Sequence, residues 1–415
     1  MNTPLKFSLL VAAVGVLQPR AANALRVFCC EKPGPIGVVS NASLVWPNSA
    51  DEPARIAFRA TLSSDRDIGK KKSSFARIRS MIEGKAEALT ALKRPYDVVV
   101  SPDRRAYVSD GARSQVLVFD PRTHSVQYLG ETGPRRGNIV KPMGLGIDAR
   151  GNVYVADQGA KRVVAFAPDG TLLRTYGGPS LFLNPVDVAV DASVGIVYVA
   201  DSYLHQVLAF RQSDGVLVRR IGRNTGDVAT KQRRLGIGGM EVATHGGADA
   251  DLAARSSLGH STNHTSEPRD LVENRGAMPG EFRYPSFLAV GPTGNLYVSD
   301  AMNFRVQVFD RGGAFLRAIG KQGDGPGTFA RPKGVAVDSE GHIYVADGAF
   351  NNVQIFDELG RLLLTFGQVG RSDGEMALPL GLFIDEHDFI YVADRVNDRL
   401  QVFQYLSVAA TSPAR

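Results

Sequence analysis

Six aspartates recur at the close of one short motif. An apolar run ends in Tyr-Val-Ala-Asp or Tyr-Val-Ser-Asp, and the acids are Asp110, Asp157, Asp201, Asp300, Asp347 and Asp394. A carboxylate where a strand enters a turn accepts backbone N–H bonds. One functional site has no need of six copies, so a structural role is expected for all of them. The competing chemistry is a carboxylate ring around one mouth that binds a cation or a sugar. Histidine supplies further candidates. His205 stands in Asp201-Ser-Tyr-Leu-His-Gln-Val-Leu, and His260-Ser-Thr-Asn-His264 has a two-ligand spacing if helical, although Ser, Thr and Asn favour a loop. A zinc site needs several convergent ligands, so no metal, cofactor or catalytic residue is assigned. His342 falls in a turn and reads as a solvated side chain. The remaining binding candidates are basic: Lys70, Lys71 and Lys72 in one run, and Arg233 with Arg234. No nucleophile elbow, phosphate loop or dinucleotide glycine pattern stands out.

The period of the motif predicts what positions these residues. Successive kernel aspartates are 47, 44, 99, 47 and 47 residues apart, and repeats of this length indicate a propeller or solenoid. Each repeat opens at a proline (Pro95, Pro142, Pro185, Pro285, Pro332 and Pro379) and then supplies short apolar segments. In the fifth, residues 334–337 read as a small-residue inner strand and 338–341 as a turn. Residues 342–346, 353–356 and 361–366 are the strands beyond it. Inner runs are apolar on both alternating sides, as a blade sandwiched between two neighbours requires. The expected fold is all-β: a six-bladed β-propeller of four-stranded antiparallel blades. The sixth repeat lacks an outer strand, while residues 55–62 alternate like a strand but precede the first repeat. That N-terminal strand is expected to complete the last blade and close the ring.

The long interval holds residues 223–276, rich in Gly and polar residues and without a kernel, read as a loop insertion between blades three and four. Loops of that length are usually functional or disordered. Residues 1–24 read as a signal peptide: Lys6, an apolar core over 7–17, and Ala22-Asn23-Ala24 in small-x-small form. Residues 25–54 follow as an extended leader, 55–406 as the propeller and 407–415 as a C-terminal tail. Ser73 is placed to cap a helix with Phe75, Ile78, Ile82 and Leu89 on one side. The two cysteines, Cys29 and Cys30, are too few to organise the fold. The expected location is periplasmic or extracellular, with membrane contact only through an N-terminal anchor.

The segments Arg331-Pro-Lys-Gly-Val-Ala-Val-Asp, Ile343-Tyr-Val-Ala-Asp and Asn351-Asn-Val-Gln-Ile-Phe-Asp resemble the NHL repeat family. So do Asn303-Phe-Arg-Val-Gln-Val-Phe-Asp and the Gly-rich joint from Gly320 to Pro332. The leader around Val45-Trp-Pro is similar to that of exported bacterial members. The resemblance spans roughly residues 55–406 and implies a six-bladed propeller that binds RNA or protein, senses ligands, or acts as a lyase. His205 is similar to one zinc-binding histidine of the peptidyl-hydroxyglycine lyases built on this fold. The corresponding loops of the other repeats hold Ser114, Lys161, Phe304, Asn351 and Asp398, so the remaining ligands are unmatched.

Function is expected where the repeat is broken. Loops after the kernels, the insertion and the basic segment 70–94 belong to one face of such a propeller, and variable loops on a rigid scaffold carry recognition. The reading is an exported, non-enzymatic binding scaffold whose partner is a protein or an envelope polymer. One alternative is a metal-dependent lyase or hydrolase with its site at the axial mouth. Another is polyanion or RNA binding through residues 66–94, which hold nine Lys/Arg against three Asp/Glu. Only Phe75 offers an aromatic platform in that run, whereas single-strand binding wants both features. Nucleic acid is therefore disfavoured. The net charge of +6 is small for 415 residues and adds little to that case.

Overall fold

The computed structural model describes residues 34–39, 44–47, 52–69, 90–130, 138–222 and 276–407. All of these except Gly34 belong to one compact unit, residues 35–415. Ser73 and its helix, Lys70, Lys71, Lys72, Arg233, Arg234, His260 and His264 lie outside the described residues.

Every kernel is the second strand of a four-stranded antiparallel blade. Blade 1 runs through Pro95–Val100, Ala106–Asp110, Gln115–Asp120 and Ser125–Tyr128. Blade 2 uses Pro142–Ile147, Val153–Asp157, Arg162–Phe166 and Leu172–Tyr176. Blade 3 uses Pro185–Asp191, Ile196–Asp201, Gln206–Arg211 and Leu217–Ile221. Pro285–Val290, Leu296–Asp300, Arg305–Phe309 and Phe315–Ile319 form blade 4. Pro332–Val337, Ile343–Asp347, Asn352–Phe356 and Leu362–Phe366 form blade 5. Among the described residues no helix is long and apolar enough to cross a membrane.

Blade 6 is built from both ends of the sequence. Pro379–Ile384, Phe389–Asp394 and Arg399–Tyr405 supply its first three strands, and Ile56–Leu62 is the fourth. The join pairs Leu400 with Leu62 and Tyr405 with Ile56, with a bulge at Val402 and Phe403. Two short leader strands, Val38–Val39 and Val45–Trp46, then pair with Ile56–Leu62. Covering that strand removes an open edge. Trp46 also bridges blades 5 and 6, its ring centroid 5.9 Å from that of Phe366 in blade 5 and 5.8 Å from that of Phe403 in blade 6.

There is no single core. The buried apolar residues form six clusters, one at each seam between consecutive blades, including the seam between blades 6 and 1. This is why kernel strands such as Ile343–Asp347 are buried throughout while outer strands such as Phe315–Ile319 alternate. Each blade face is the wall of a neighbour, and burying both faces is the main stabilising term.

Candidate functional site

The kernel aspartates lie at one face of the ring, where second strands end and the connectors between blades arrive. Each carboxylate is fully buried. Asp347 accepts the backbone N–H groups of Ala349 and Phe350 in the loop after it, and of Ala330 and Arg331 in the connector before its blade. Asp201 does the same with Tyr203, Leu204, Leu183 and Asn184. Asp157 gathers Ala160, Val140 and Lys141, with Arg162 Nε at 3.3 Å. In blades 4 and 6 the arginine comes closer: Arg305 Nε sits 2.9 Å from Asp300, and Arg399 Nε 2.9 Å from Asp394. Asp110 accepts from Lys93, Ala112 and Arg113. With this many donors, the carboxylates tie loop to connector.

The residue four beyond each kernel aspartate is left-handed in all six blades: Ser114, Lys161, His205, Phe304, Asn351 and Asp398, with φ from 51° to 57°. Three of them carry acceptors that reach the next blade. His205 Nδ1 accepts the Tyr284 N–H at 3.0 Å, Asn351 Oδ1 the Leu378 N–H at 2.8 Å, and Asp398 Oδ1 the Arg94 N–H at 2.7 Å. Those three donors precede a proline and are themselves left-handed. At Lys141, Asn184 and Arg331 the pre-proline N–H goes to the kernel aspartate of its own blade. His205 thus does the work of Asn351 and Asp398. Among the described residues no three His, Cys, Asp or Glu side chains stand together as a metal-ligand set.

The same face exposes apolar side chains at the junction of blades 3 and 4. Tyr203, Tyr284, Met302 and Met278 are 43%, 44%, 48% and 60% exposed. The Tyr203 and Tyr284 rings meet edge-on at 6.1 Å, and the Met302 N–H bonds to the carbonyl of Arg283. Blade 3 ends here at Ile221, beside the start of its third strand, and the chain is described again from Gly276.

A second feature lies on the axis. The position two beyond the opening proline reads Asp97, Gly144, Asp187, Phe287, Gly334 and Gly381 around the ring. Asp97 and Asp187 are 4% and 2% exposed and line an axial cavity of about 130 Å³ with otherwise largely aliphatic walls. Each reaches the next blade: Asp97 Oδ2 accepts the Leu145 N–H at 2.8 Å and Asp187 Oδ2 the Leu288 N–H at 2.7 Å. The preceding blade makes room for them. A Cβ on Gly381 would fall 2.1 Å from Asp97 Oδ1, and one on Gly144 1.8 Å from Asp187 Oδ1. Asp187 Oδ1 has no hydrogen-bond partner. Burial raises both carboxyls above their ordinary range, and the charge of Asp97 raises Asp187 further. Tyr96 and Phe287, from blades on opposite sides of the ring, stack at 5.3 Å and 20°. Burial raises the Tyr96 hydroxyl too, with Asp187 and Asp97 adding to it. A buried carboxyl pair raised in this way holds a proton more tightly than an exposed one does.

Comparison with known proteins agrees with this geometry at the level of the fold. A family model described as a 6-bladed beta-propeller matches residues 288–348. Peptidyl-glycine alpha-amidating monooxygenase B of Xenopus laevis is 27% identical over 219 residues, which are 50% of this chain and 19% of that protein. The mouse peptidyl-glycine alpha-amidating monooxygenase is 27% identical over 131 residues, 29% of this chain and 13% of that one. The chain therefore spans less than a fifth of the length of these curated relatives. Among solved structures, a gluconolactonase from Xanthomonas campestris superposes with a TM-score of 0.53 at 15% identity, covering 91% of this chain and 99% of its own. A Bacteroides thetaiotaomicron protein of unknown function gives 0.51 at 15% identity, covering 76% and 70%. The chain is a six-bladed β-propeller of four-stranded blades.

Proposed function

We propose that this propeller is an exported, non-enzymatic recognition scaffold that docks a protein on the face carrying the kernel loops. The observation that carries the reading is the exposed Tyr203, Tyr284, Met302 and Met278 group, beside the point where the described chain stops at Gly222 and resumes at Gly276. Tyrosine and methionine offer large contact areas, and aromatic residues are enriched where proteins bind. The stapled loops beneath hold that surface in one geometry, which lowers the ordering cost of association. Affinity capture from envelope extract tests it, with intact protein, a Tyr203→Ala/Tyr284→Ala variant, and a chain lacking residues 226–274. Loss of one shared partner from both variants, with melting temperature kept, supports the reading. Capture unchanged by either variant overturns it.

A second reading, a lyase or hydrolase with its site on the axis, is favoured by the unpartnered Asp187 Oδ1 beside Asp97. The amidating monooxygenase relatives are enzymes by name. Turnover abolished by Asp187→Asn but indifferent to the Tyr203→Ala/Tyr284→Ala change would favour this site over the loop face.

A further inference from the structure

The face opposite the kernel loops is formed by the turns between inner and second strands. In blade 2 that turn is closed by Asp148, whose Oδ1 accepts the N–H groups of Arg150 and Asn152. Asn152 Nδ2 donates to Asp148 Oδ2 at 2.9 Å. Blade 5 repeats the turn with a different side chain. Asp338 Oδ1 accepts the N–H groups of Glu340 and His342, and His342 Nδ1 sits 2.8 Å from Asp338 Oδ2. An asparagine suffices for the turn. Histidine fills the same place and brings a second ring nitrogen that the turn does not use.

The seam beside it departs from the repeat as well. Between blades 2 and 3, Gln212 donates to Asp148 Oδ2 at 2.9 Å and to the Tyr154 hydroxyl at 2.6 Å, tying the two blades together. The corresponding residue of blade 6, eleven beyond its kernel aspartate, is Tyr405. Its hydroxyl donates to Glu340 Oε2 at 3.0 Å instead, and its ring lies 5.3 Å from that of His342. A cavity of about 510 Å³ opens there, within the range of small-molecule sites. Its lining includes His342, Glu340, Arg55 and Glu52 together with Ile355, Leu363 and Leu364. Arg55 and Tyr405 come from opposite ends of the sequence, so this site is complete only in the closed ring.

The chemistry of the walls selects among ligands. Donors, acceptors and aliphatic surface are mixed in the lining. Two carboxylates, Glu52 and Glu340, stand against one guanidinium and an imidazole. Its hydrogen bond to the Asp338 carboxylate raises the proton affinity of that imidazole. Asp338 adds a third carboxylate behind the imidazole, and with groups of both signs interleaved along the site no single-sign field selects an anion or a cation. A molecule with hydroxyls that both donate and accept, and with C–H faces between them, matches this mixed lining. We propose that this groove between blades 5 and 6 binds a neutral saccharide, contacted by His342, Glu340 and Arg55 against Leu363 and Leu364.

Titration of the full chain, followed by saturation-transfer NMR, tests this with glucose and maltose as neutral probes, glucuronate as the anion and glucosamine as the cation. Saturable binding is expected for at least one neutral sugar and weaker binding for its charged analogues. His342→Asn keeps the turn, by the precedent of Asn152, and is expected to weaken binding about tenfold, as loss of one charge-assisted hydrogen bond does, with the unfolding midpoint unchanged. Tyr203→Ala, on the other face, is expected to leave sugar binding intact. No saturable binding of any of the four, preference for a charged analogue, undiminished binding by His342→Asn, or loss on Tyr203→Ala would each overturn the proposal. None of these results bears on protein capture by the kernel-loop face.

Discussion

His205 and Tyr284 are joined across the seam between blades 3 and 4. The ring nitrogen Nδ1 accepts the Tyr284 N–H at 3.0 Å, and the two rings meet edge-on at 4.8 Å. An imidazole can accept at Nδ1 only while that nitrogen is unprotonated, so the bond fixes the tautomer with the proton on Nε2. His205→Asn should keep both the acceptor and the left-handed backbone, which Asn tolerates, and Asn351 shows the same bond in blade 5. His205→Ala loses the acceptor, strands a pre-proline N–H and strains a φ of 55°. We expect a loss of about 1–2 kcal/mol for Ala and little for Asn in urea unfolding. Equal losses would show that the ring's packing matters and the acceptor does not.

The kernel aspartates should be costly to remove and irrelevant to binding. Asp347→Ala leaves four part-buried N–H donors, those of Ala330, Arg331, Ala349 and Phe350, without their acceptor. A loss of about 2 kcal/mol or more is expected, because each lost hydrogen bond contributes about 0.5–1.5 kcal/mol and part of the stranded donors' demand is met by water. Partner capture per folded molecule should not change. A stable Asp347→Ala protein that fails to bind would instead make this carboxylate functional.

The axial pair should leave a signature in stability against pH. The buried Asp97 carboxyl is raised to about 7 from an ordinary value near 4, and Asp187 is raised as well. A folded-state value above the unfolded one means that the native state holds protons which the unfolded chain releases. The associated stability is fully present below about pH 4 and is lost as pH rises through about 7. The total is on the order of a few kcal/mol. Asp187→Asn should flatten the decline when melting is followed from pH 5 to 8.5. A wild-type midpoint that rises steadily over that interval would contradict the assignment.

Trp46 is the single tryptophan of the chain and it sits at the closing seam. Its emission should therefore report on blades 5 and 6 directly. Trp46→Phe should cost less than Trp46→Ala, for which about 2 kcal/mol is expected from a half-buried ring. A red shift in wild-type fluorescence that precedes loss of the far-UV sheet signal would show that this seam opens before the rest.

Much of the fold is local and repeated, which is why it is legible in residue order. Tyr-Val-Ala-Asp marks each second strand, the prolines mark each first strand, and the unpartnered strand near residue 56 points to closure. The less legible features depend on the ring bringing single residues together from separate blades. Asp97 and Asp187 look like ordinary strand residues until the six post-proline positions are stacked, whereupon each aspartate follows a glycine in the blade before it, Gly381 or Gly144. His205 reads as a metal-type residue, because its partner, a backbone N–H 79 positions away, leaves no mark in the side-chain pattern. His342 reads as a solvated turn residue. Its turn partner Asp338 and the neighbouring Tyr405 hold it at the edge of a cavity instead.

Arg59 Nε and the Gln404 side-chain oxygen meet at 2.9 Å although 345 positions separate them. A loop of that length costs about 5 kcal/mol of chain entropy to close, a logarithmic penalty that local blades avoid. Assembly should then have a late rate-limiting step, since five blades form from near neighbours and the sixth awaits a strand from the far end. A circular permutant that joins residue 407 to residue 55 and opens the chain between blades 3 and 4 would turn the most distant pairing into a hairpin. It should refold faster than the natural order, and any nascent chain shorter than residue 399 should remain an open arc with an unpaired edge.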